Sequence, residues 1–165
     1  MTELYRHVLE PELAGAAAGQ VFWIRPASRE DIPAVTAIES QVYSTPWSEQ
    51  SFLAELTHER SLFWVFLVDQ TIVGYQIGWK VLEAYHLHNI ALHRSWRGLG
   101  FAHEALDFLR QYVARIAIRA IELEVRASNM AALELYRRFG FEAVGLRRRY
   151  YRQPTEDAVL MRFLV

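Results

Sequence analysis

The chain has 165 residues, a formal net charge of -1 and no cysteine, with 52% hydrophobic and 22% charged residues. Disulfides, thiolate zinc sites and a cysteine nucleophile are excluded, and no overall charge draws the chain to nucleic acid or to an anionic membrane. The apolar content is enough for one substantial core and too high for a disordered chain.

Residues 1–20 carry Glu3, Glu10 and Glu12 and hold no apolar run suited to a signal peptide. They read as a loosely attached N-terminal extension with a helical turn or two, ahead of a domain spanning 21–165. No stretch approaches the roughly 18 to 20 apolar residues that span a bilayer, so the expectation is a cytoplasmic protein with no membrane partner.

Val21 to Arg25, ended by Pro26, is a β-rich run and predicts a strand. Ser28 stands three residues before Asp31, a capping-box spacing that opens a helix bearing Ile32, Val35, Ile38 and Val42. Ser44-Thr45-Pro46 breaks that helix, and Ser48 caps a second with Phe52, Leu53 and Leu56 on its apolar face. Leu62 to Val68 and Ile72 to Trp79, joined by Asp69-Gln70-Thr71, predict a hairpin, and Tyr85 to Leu92 a further strand. Phe101 to about Ile116 predicts a helix and Ile121 to Val125 an alternating strand. Ser128 or Asn129 caps a last helix, which Gly140 closes at its C′ position. Phe141 to Leu146 and Ala158 to Leu164 finish as strands. The order β-α-α-β-β-β-α-β-α-β-β gives an α/β or α+β domain with one sheet.

The segment Ile90-Ala91-Leu92-His93-Arg94-Ser95-Trp96-Arg97-Gly98-Leu99-Gly100-Phe101-Ala102 carries the most chemistry. A buried strand runs into a two-glycine loop that opens a helix, a geometry suited to a pyrophosphate. Glycine lets the backbone approach closely, and Arg97 adds a charge-assisted contact. An ordinary glycine turn fits the same residues. A dinucleotide fingerprint does not, because the third glycine is absent, His103 follows, and the loop lies in mid-chain.

Arg97-Gly98-Leu99-Gly100-Phe101-Ala102 resembles the Arg/Gln-x-x-Gly-x-Gly/Ala motif of the GCN5-related N-acetyltransferase (GNAT) superfamily, with Arg97, Gly100 and Ala102 at the motif positions. Further blocks place the likeness in the branch that acetylates the N-terminal alanine of bacterial ribosomal proteins. They are Pro46-Trp47-Ser48-x-x-x-Phe52, Asn89-Ile90-Ala91, Leu123 to Asn129, Leu135-Tyr136-x-x-x-Gly140-Phe141, Arg147-Arg148-x-Tyr150-Tyr151 and Glu156-Asp157-Ala158. The resemblance covers about residues 21 to 165. It implies a single mixed, mostly antiparallel sheet of about seven strands flanked by about four helices. It also implies acetyl-CoA as co-substrate with no metal. The backbone of Ile90, Ala91 and Leu92 would run along the pantetheine arm. Gly98, Leu99, Gly100, Phe101, Ala102 and His103 would hold the pyrophosphate, and Asn129 would contact the coenzyme.

Acetylating an amine needs a base and an acid. An α-amino group with a pKa near 7.7–8.0 is largely protonated at pH 7, and the departing thiolate needs a proton. Glu124, between Leu123 and Val125, is the candidate base, and desolvation by those neighbours is expected to raise its pKa. On pattern alone Glu124 also reads as a solvent-facing residue beside Glu122. Tyr136 is the candidate acid, and equally a core tyrosine of an amphipathic helix. The resemblance implies the catalytic reading for both.

His86 and His88 share a strand face, and packing or substrate-side roles suit them better than a metal pair without a third ligand. The related enzymes carry an aromatic residue where His88 stands. Arg147, Arg148, Arg149 and Arg152 surround Tyr150 and Tyr151, a cluster open to RNA or peptide. The resemblance favours peptide, with Trp47, Tyr150 and Tyr151 lining the acceptor site. The expected partner is a protein or peptide N-terminus, ribosomal by resemblance, with no direct DNA binding and a monomeric or weakly dimeric chain. A small-amine or lysine acetyltransferase and a non-catalytic acetyl-CoA-binding module are the alternatives.

Overall fold

The computed structural model describes residues 5–8 and 21–165. All seven expected strands form, and an eighth precedes them. The strands are β1 (Tyr5–Val8), β2 (Val21–Pro26), β3 (Ser61–Val68), β4 (Thr71–Val81), β5 (Ala84–Leu92), β6 (Ala120–Arg126), β7 (Glu142–Arg152) and β8 (Thr155–Leu164). The four α-helices are α1 (Ile32–Val42), α2 (Glu49–Glu55), α3 (Phe101–Arg115) and α4 (Met130–Phe139). Residues 5–8 pair antiparallel with β2, where the sequence reading put a helical turn. The rest of the expected extension lies outside the described residues.

One sheet runs β1-β2-β3-β4-β5-β6-β8-β7. Every neighbouring pair is antiparallel except β5 and β6, which are parallel because α3 connects them. β8 inserts between β6 and β7, so the terminal hairpin leaves β7 as the outer strand.

Local signals account for the element ends. The Asp31 carboxylate accepts from the Ser28 N–H at 2.8 Å and the Ser28 hydroxyl at 3.1 Å. The Arg25 guanidinium grips it from the other side, at 2.6 and 2.8 Å. The Ser48 hydroxyl accepts the Ser51 N–H at 3.1 Å, capping α2. Asp69 and Gln70 turn the β3–β4 hairpin with positive φ at both positions, 47° and 66°. Gly140 ends α4 at φ 108°.

The central strands of the sheet are buried on both faces, while β7 is exposed. One core joins the sheet to α3 and α4 around Phe22, Phe66, Phe101, Leu106 and Leu109. The other joins it to α1 and α2 around Ile32, Val35, Phe52 and Tyr75. In the first core Phe22 lies 5.7 Å from Phe66 and 4.9 Å from Phe101, centroid to centroid. Phe66→Ala leaves a cavity amid these rings, and denaturant unfolding should show a loss of about 3–5 kcal/mol.

Candidate active site

The parallel ladder between β5 and β6 is short. It pairs Ala84 with Ala120 through Leu87 with Leu123, and then stops. β5 runs on to Leu92 and β6 to Arg126, leaving a wedge between two unpaired strand edges. A bulge coincides with the split. Ile77 pairs with Asn89 and Gly78 with Leu87, so His88 is skipped. The extra residue lets His88 and Asn89 both serve the α1/α2 face. The Asn89 amide reaches Glu39 of α1 at 3.3 Å, and the His88 ring lies 6.5 Å from that of Trp47.

On the β5 edge the carbonyls of Ile90 and Leu92 are already engaged. The Tyr43 hydroxyl donates to Ile90 at 3.1 Å and Arg97 Nε to Leu92 at 3.1 Å. In a strand the N–H and C=O of one residue share an edge, so the N–H groups of Ile90 and Leu92 also face the wedge. Ala91, which shares neither position, buries its methyl in the second core.

At the end of β5 the chain makes one 3-10 turn, Arg94–Trp96, and enters the glycine loop. Gly98 and Gly100 adopt φ 73° and 87°. A Cβ on Gly98 would meet nothing within 4 Å, so the left-handed backbone is what selects glycine there. The first α3 hydrogen bonds are from the His103 and Glu104 N–H groups to the Gly100 carbonyl. The N–H groups from Gly98 to Ala102 have no backbone acceptor among the described residues and lie at the positive end of a fifteen-residue helix. Leu99 packs on the first core, and the His103 ring rests 5.3 Å from that of Phe139. Phe101 is buried, so it offers a ligand only its backbone.

Glu124 sits on β6 just beyond the last paired residue. The strand alternates, and Leu123 and Val125 enter the α3/α4 core while Glu122 and Glu124 point to the other face. The expected desolvation by these neighbours therefore fails, since period two sends them to the opposite side. Glu124 is 33% exposed, and Arg147 Nη1 of β7 binds it at 2.5 Å. The Tyr150 hydroxyl stands 3.5 Å away, at the outer limit of a hydrogen bond.

Tyr136 approaches the wedge from the α3/α4 side. Its ring is buried against Phe141, centroids 5.4 Å apart, and its hydroxyl takes no hydrogen bond among the described residues. Burial, and secondarily Tyr151, raise its pKa well above 10, which keeps the phenol protonated. Tyr151 donates to the Glu124 carbonyl at 3.4 Å, under the Arg126 guanidinium at 4.1 Å. Burial first, then the Glu124 carboxylate, pushes its pKa to about 12. Tyr43 is likewise raised, chiefly by burial and next by Tyr136. Three phenols thus converge on the wedge, from the residue that ends α1, from α4 and from β7.

A groove of about 400 Å³ opens beside Glu124 on the uncovered face, bounded by Trp79, His86, His88, Glu122 and Arg147. Trp47 lies near it through His88. Asn129 caps α4, its Oδ1 accepting the Ala132 N–H at 3.2 Å, which leaves its Nδ2 for a ligand.

Two residues escaped the sequence reading. Glu39 is fully buried and accepts hydrogen bonds from the Trp47 N–H at 2.9 Å, the Tyr75 hydroxyl and Asn89. Burial outweighs these bonds and raises its pKa. A glutamate four residues after Val35 on the apolar stripe of α1 was the available signal. Tyr43, four residues further, continues that stripe.

The residues fit a coenzyme A thioester: free amides at a helix mouth for the diphosphate, and an unpaired strand edge for an amide-bearing arm. Comparison with known proteins gives the same direction. The family model described as the acetyltransferase (GNAT) family matches residues 32–141. The ribosomal protein bS18-alanine N-acetyltransferase of Salmonella typhimurium is 35% identical over 136 residues, 81% of this chain and 91% of that one. Its Escherichia coli K12 counterpart is 35% identical over 135 residues, 79% and 89% of the two chains. The crystal structure of the Escherichia coli ribosomal-protein-S18-alanine N-acetyltransferase superposes with a TM-score of 0.81 at 31% identity, covering 87% of this chain and 94% of that one. Ard1 of Thermoplasma volcanium matches with the same TM-score of 0.81 at 23% identity, covering 87% and 97%, and shares the fold.

Proposed function

The chain belongs to the acetyltransferase (GNAT) family, and on that premise we propose that it moves the acetyl group of acetyl-CoA to the N-terminal α-amine of a protein, the N-terminal alanine of ribosomal protein bS18. The observation that carries this reading is the wedge, where Glu124 on one face of the sheet and Tyr136 on the other flank the gap between β5 and β6.

Acetyl-CoA supplies the activated acetyl group. The amides of Gly98 to Ala102 bind its diphosphate, assisted by the free end of the Arg97 guanidinium and by Asn129, while the His103 N–H stays bonded to the Gly100 carbonyl. The N–H groups of Ile90 and Leu92 orient the arm toward the wedge. The acceptor enters over the open face, between Trp47 and the β7–β8 hairpin that carries Tyr150 and Tyr151. Glu124 accepts a proton from the amine, with Arg147 fixing the carboxylate's orientation. Tyr136 gives its proton to the departing sulfur. Burial keeps the phenol protonated until the sulfur leaves, and it raises the basicity of the departing thiolate as it raises the phenol's own pKa.

The test is a panel of acceptors offered with acetyl-CoA to the purified protein. A peptide with the N-terminus of bS18 should be acetylated on its α-amine, located by mass spectrometry. The same peptide with a blocked N-terminus should not react. Turnover confined to polyamines, aminoglycosides or lysine side chains would assign the enzyme to small amines or lysine instead. Coenzyme binding without turnover of any amine would make it a sensor.

A further inference from the structure

The Glu124 base leaves one proton unassigned. An acceptor ammonium loses two protons on becoming an amide. As the C–N bond forms and the C–S bond breaks, the thiolate takes one proton from Tyr136, which solvent then reprotonates, so both amine protons leave through acceptors that discharge to solvent and one net proton is released. Glu124 already holds Arg147 at 2.5 Å. A second acceptor with a solvent outlet on the same face would complete the balance.

His88 occupies that position. It and Glu124 are each the first residue beyond the last β5–β6 pair, Leu87 with Leu123. Both line the groove on the open face. The bulge that skips His88 turns its ring into the groove, against Trp79 at 5.0 Å and Trp47 at 6.5 Å. The residue is exposed at the rim. We infer that His88 is a second proton acceptor for the acceptor amine, taking the ammonium proton before attack and releasing it to solvent through the groove, while Glu124 takes the proton released as the C–N bond forms.

The surroundings favour a neutral, proton-accepting ring. Partial burial is the largest influence and lowers the His88 pKa from its usual value. The charged and titratable groups facing it are Glu55 and His58 from α2 and the turn after it, His86 from its own strand, and Glu124 from β6. The two carboxylates oppose the lowering, the two histidines assist it, and the Arg147 ion pair offsets Glu124. His86 is differently placed: its Nδ1 lies 3.5 Å from Glu122, which also binds Arg162 at 2.6 Å. At pH 7 and above the imidazole is free to accept. As pH falls through its lowered pKa that capacity is lost.

This inference rests on the N-terminal acetylation reading, and three proteins separate the two. His88→Gln keeps size and polarity without titrating. Its kcat at saturating peptide and pH 7, where the α-amine is mostly protonated, should fall about fivefold to tenfold, with KM for acetyl-CoA unchanged and the loss shrinking toward pH 9. The acid limb of the wild-type kcat profile below pH 6.5 should flatten. In His88→Ala, added imidazole should restore kcat in proportion to its neutral fraction. A His88→Gln enzyme with wild-type kcat and an unchanged acid limb overturns the inference, as does an impaired His88→Ala enzyme that imidazole fails to rescue. If Glu124→Gln is inactive in that case, Glu124 handles both protons and the acetylation reading stands. If the wild-type protein acetylates no N-terminal peptide, that reading itself falls.

Discussion

Replacing Tyr136 by Phe should lower kcat by about 10² to 10⁴ and leave the Kd for coenzyme A within about twofold. The two effects separate because the ring and the hydroxyl have different tasks. The ring is buried in the α3/α4 core against Phe141, and Phe preserves that packing. The hydroxyl makes no hydrogen bond among the described residues, so its removal strands no protein donor or acceptor. Thermal unfolding should therefore shift by no more than a few degrees. On the proposed mechanism the variant loses the proton donor to sulfur, and single-turnover measurements should place the defect in the chemical step. Unchanged kcat would exclude the hydroxyl from the reaction.

Glu124→Gln should cost a comparable factor, about 10² to 10³ in kcat, for a different reason. The amide matches the carboxylate in size but accepts no proton. The ion pair with Arg147 is lost too, yet Arg147 is 53% exposed and its charge remains hydrated. A pair this exposed contributes about 0–1 kcal/mol to stability, so the folded protein should persist with normal coenzyme affinity. Arg147→Ala discriminates further. It leaves the carboxylate in place but unrestrained, so the peptide KM should rise several-fold with a smaller loss in kcat. Full activity in Glu124→Gln would remove Glu124 from the proton path.

The fold was legible because its local signals agree with one another. Ser28 with Asp31, Ser48, Asn129 and Gly140 mark helix ends where they form, and each apolar run between them becomes a strand or a buried helix face. The glycine loop was equally legible. Positive φ and a helix mouth are properties of a dozen consecutive residues, and Gly98 and Gly100 express them locally.

The environment of Glu124 was not legible in the same way. Its apolar sequence neighbours implied burial, but strand alternation sends them to the opposite face. Its actual partner, Arg147, lies on β7, two strands away across β8. Glu39 shows the converse: a charge on an apolar stripe, accepted in the core because Trp47, Tyr75 and Asn89 supply donors from three other segments. His88 depends on a bulge, which is a mismatch between two strands and not a property of either.

The sequence by itself determined the elements of residues 21–165 and the two-glycine turn, since each follows from residue type and spacing within a short window, while the family and the candidate acid and base came from the resemblance of several separate blocks. Tertiary structure decided where the parallel ladder stops, which face each carboxylate and imidazole meets, and which cation holds Glu124. Those depend on strand order and register, and register is set by packing between segments that lie far apart along the chain.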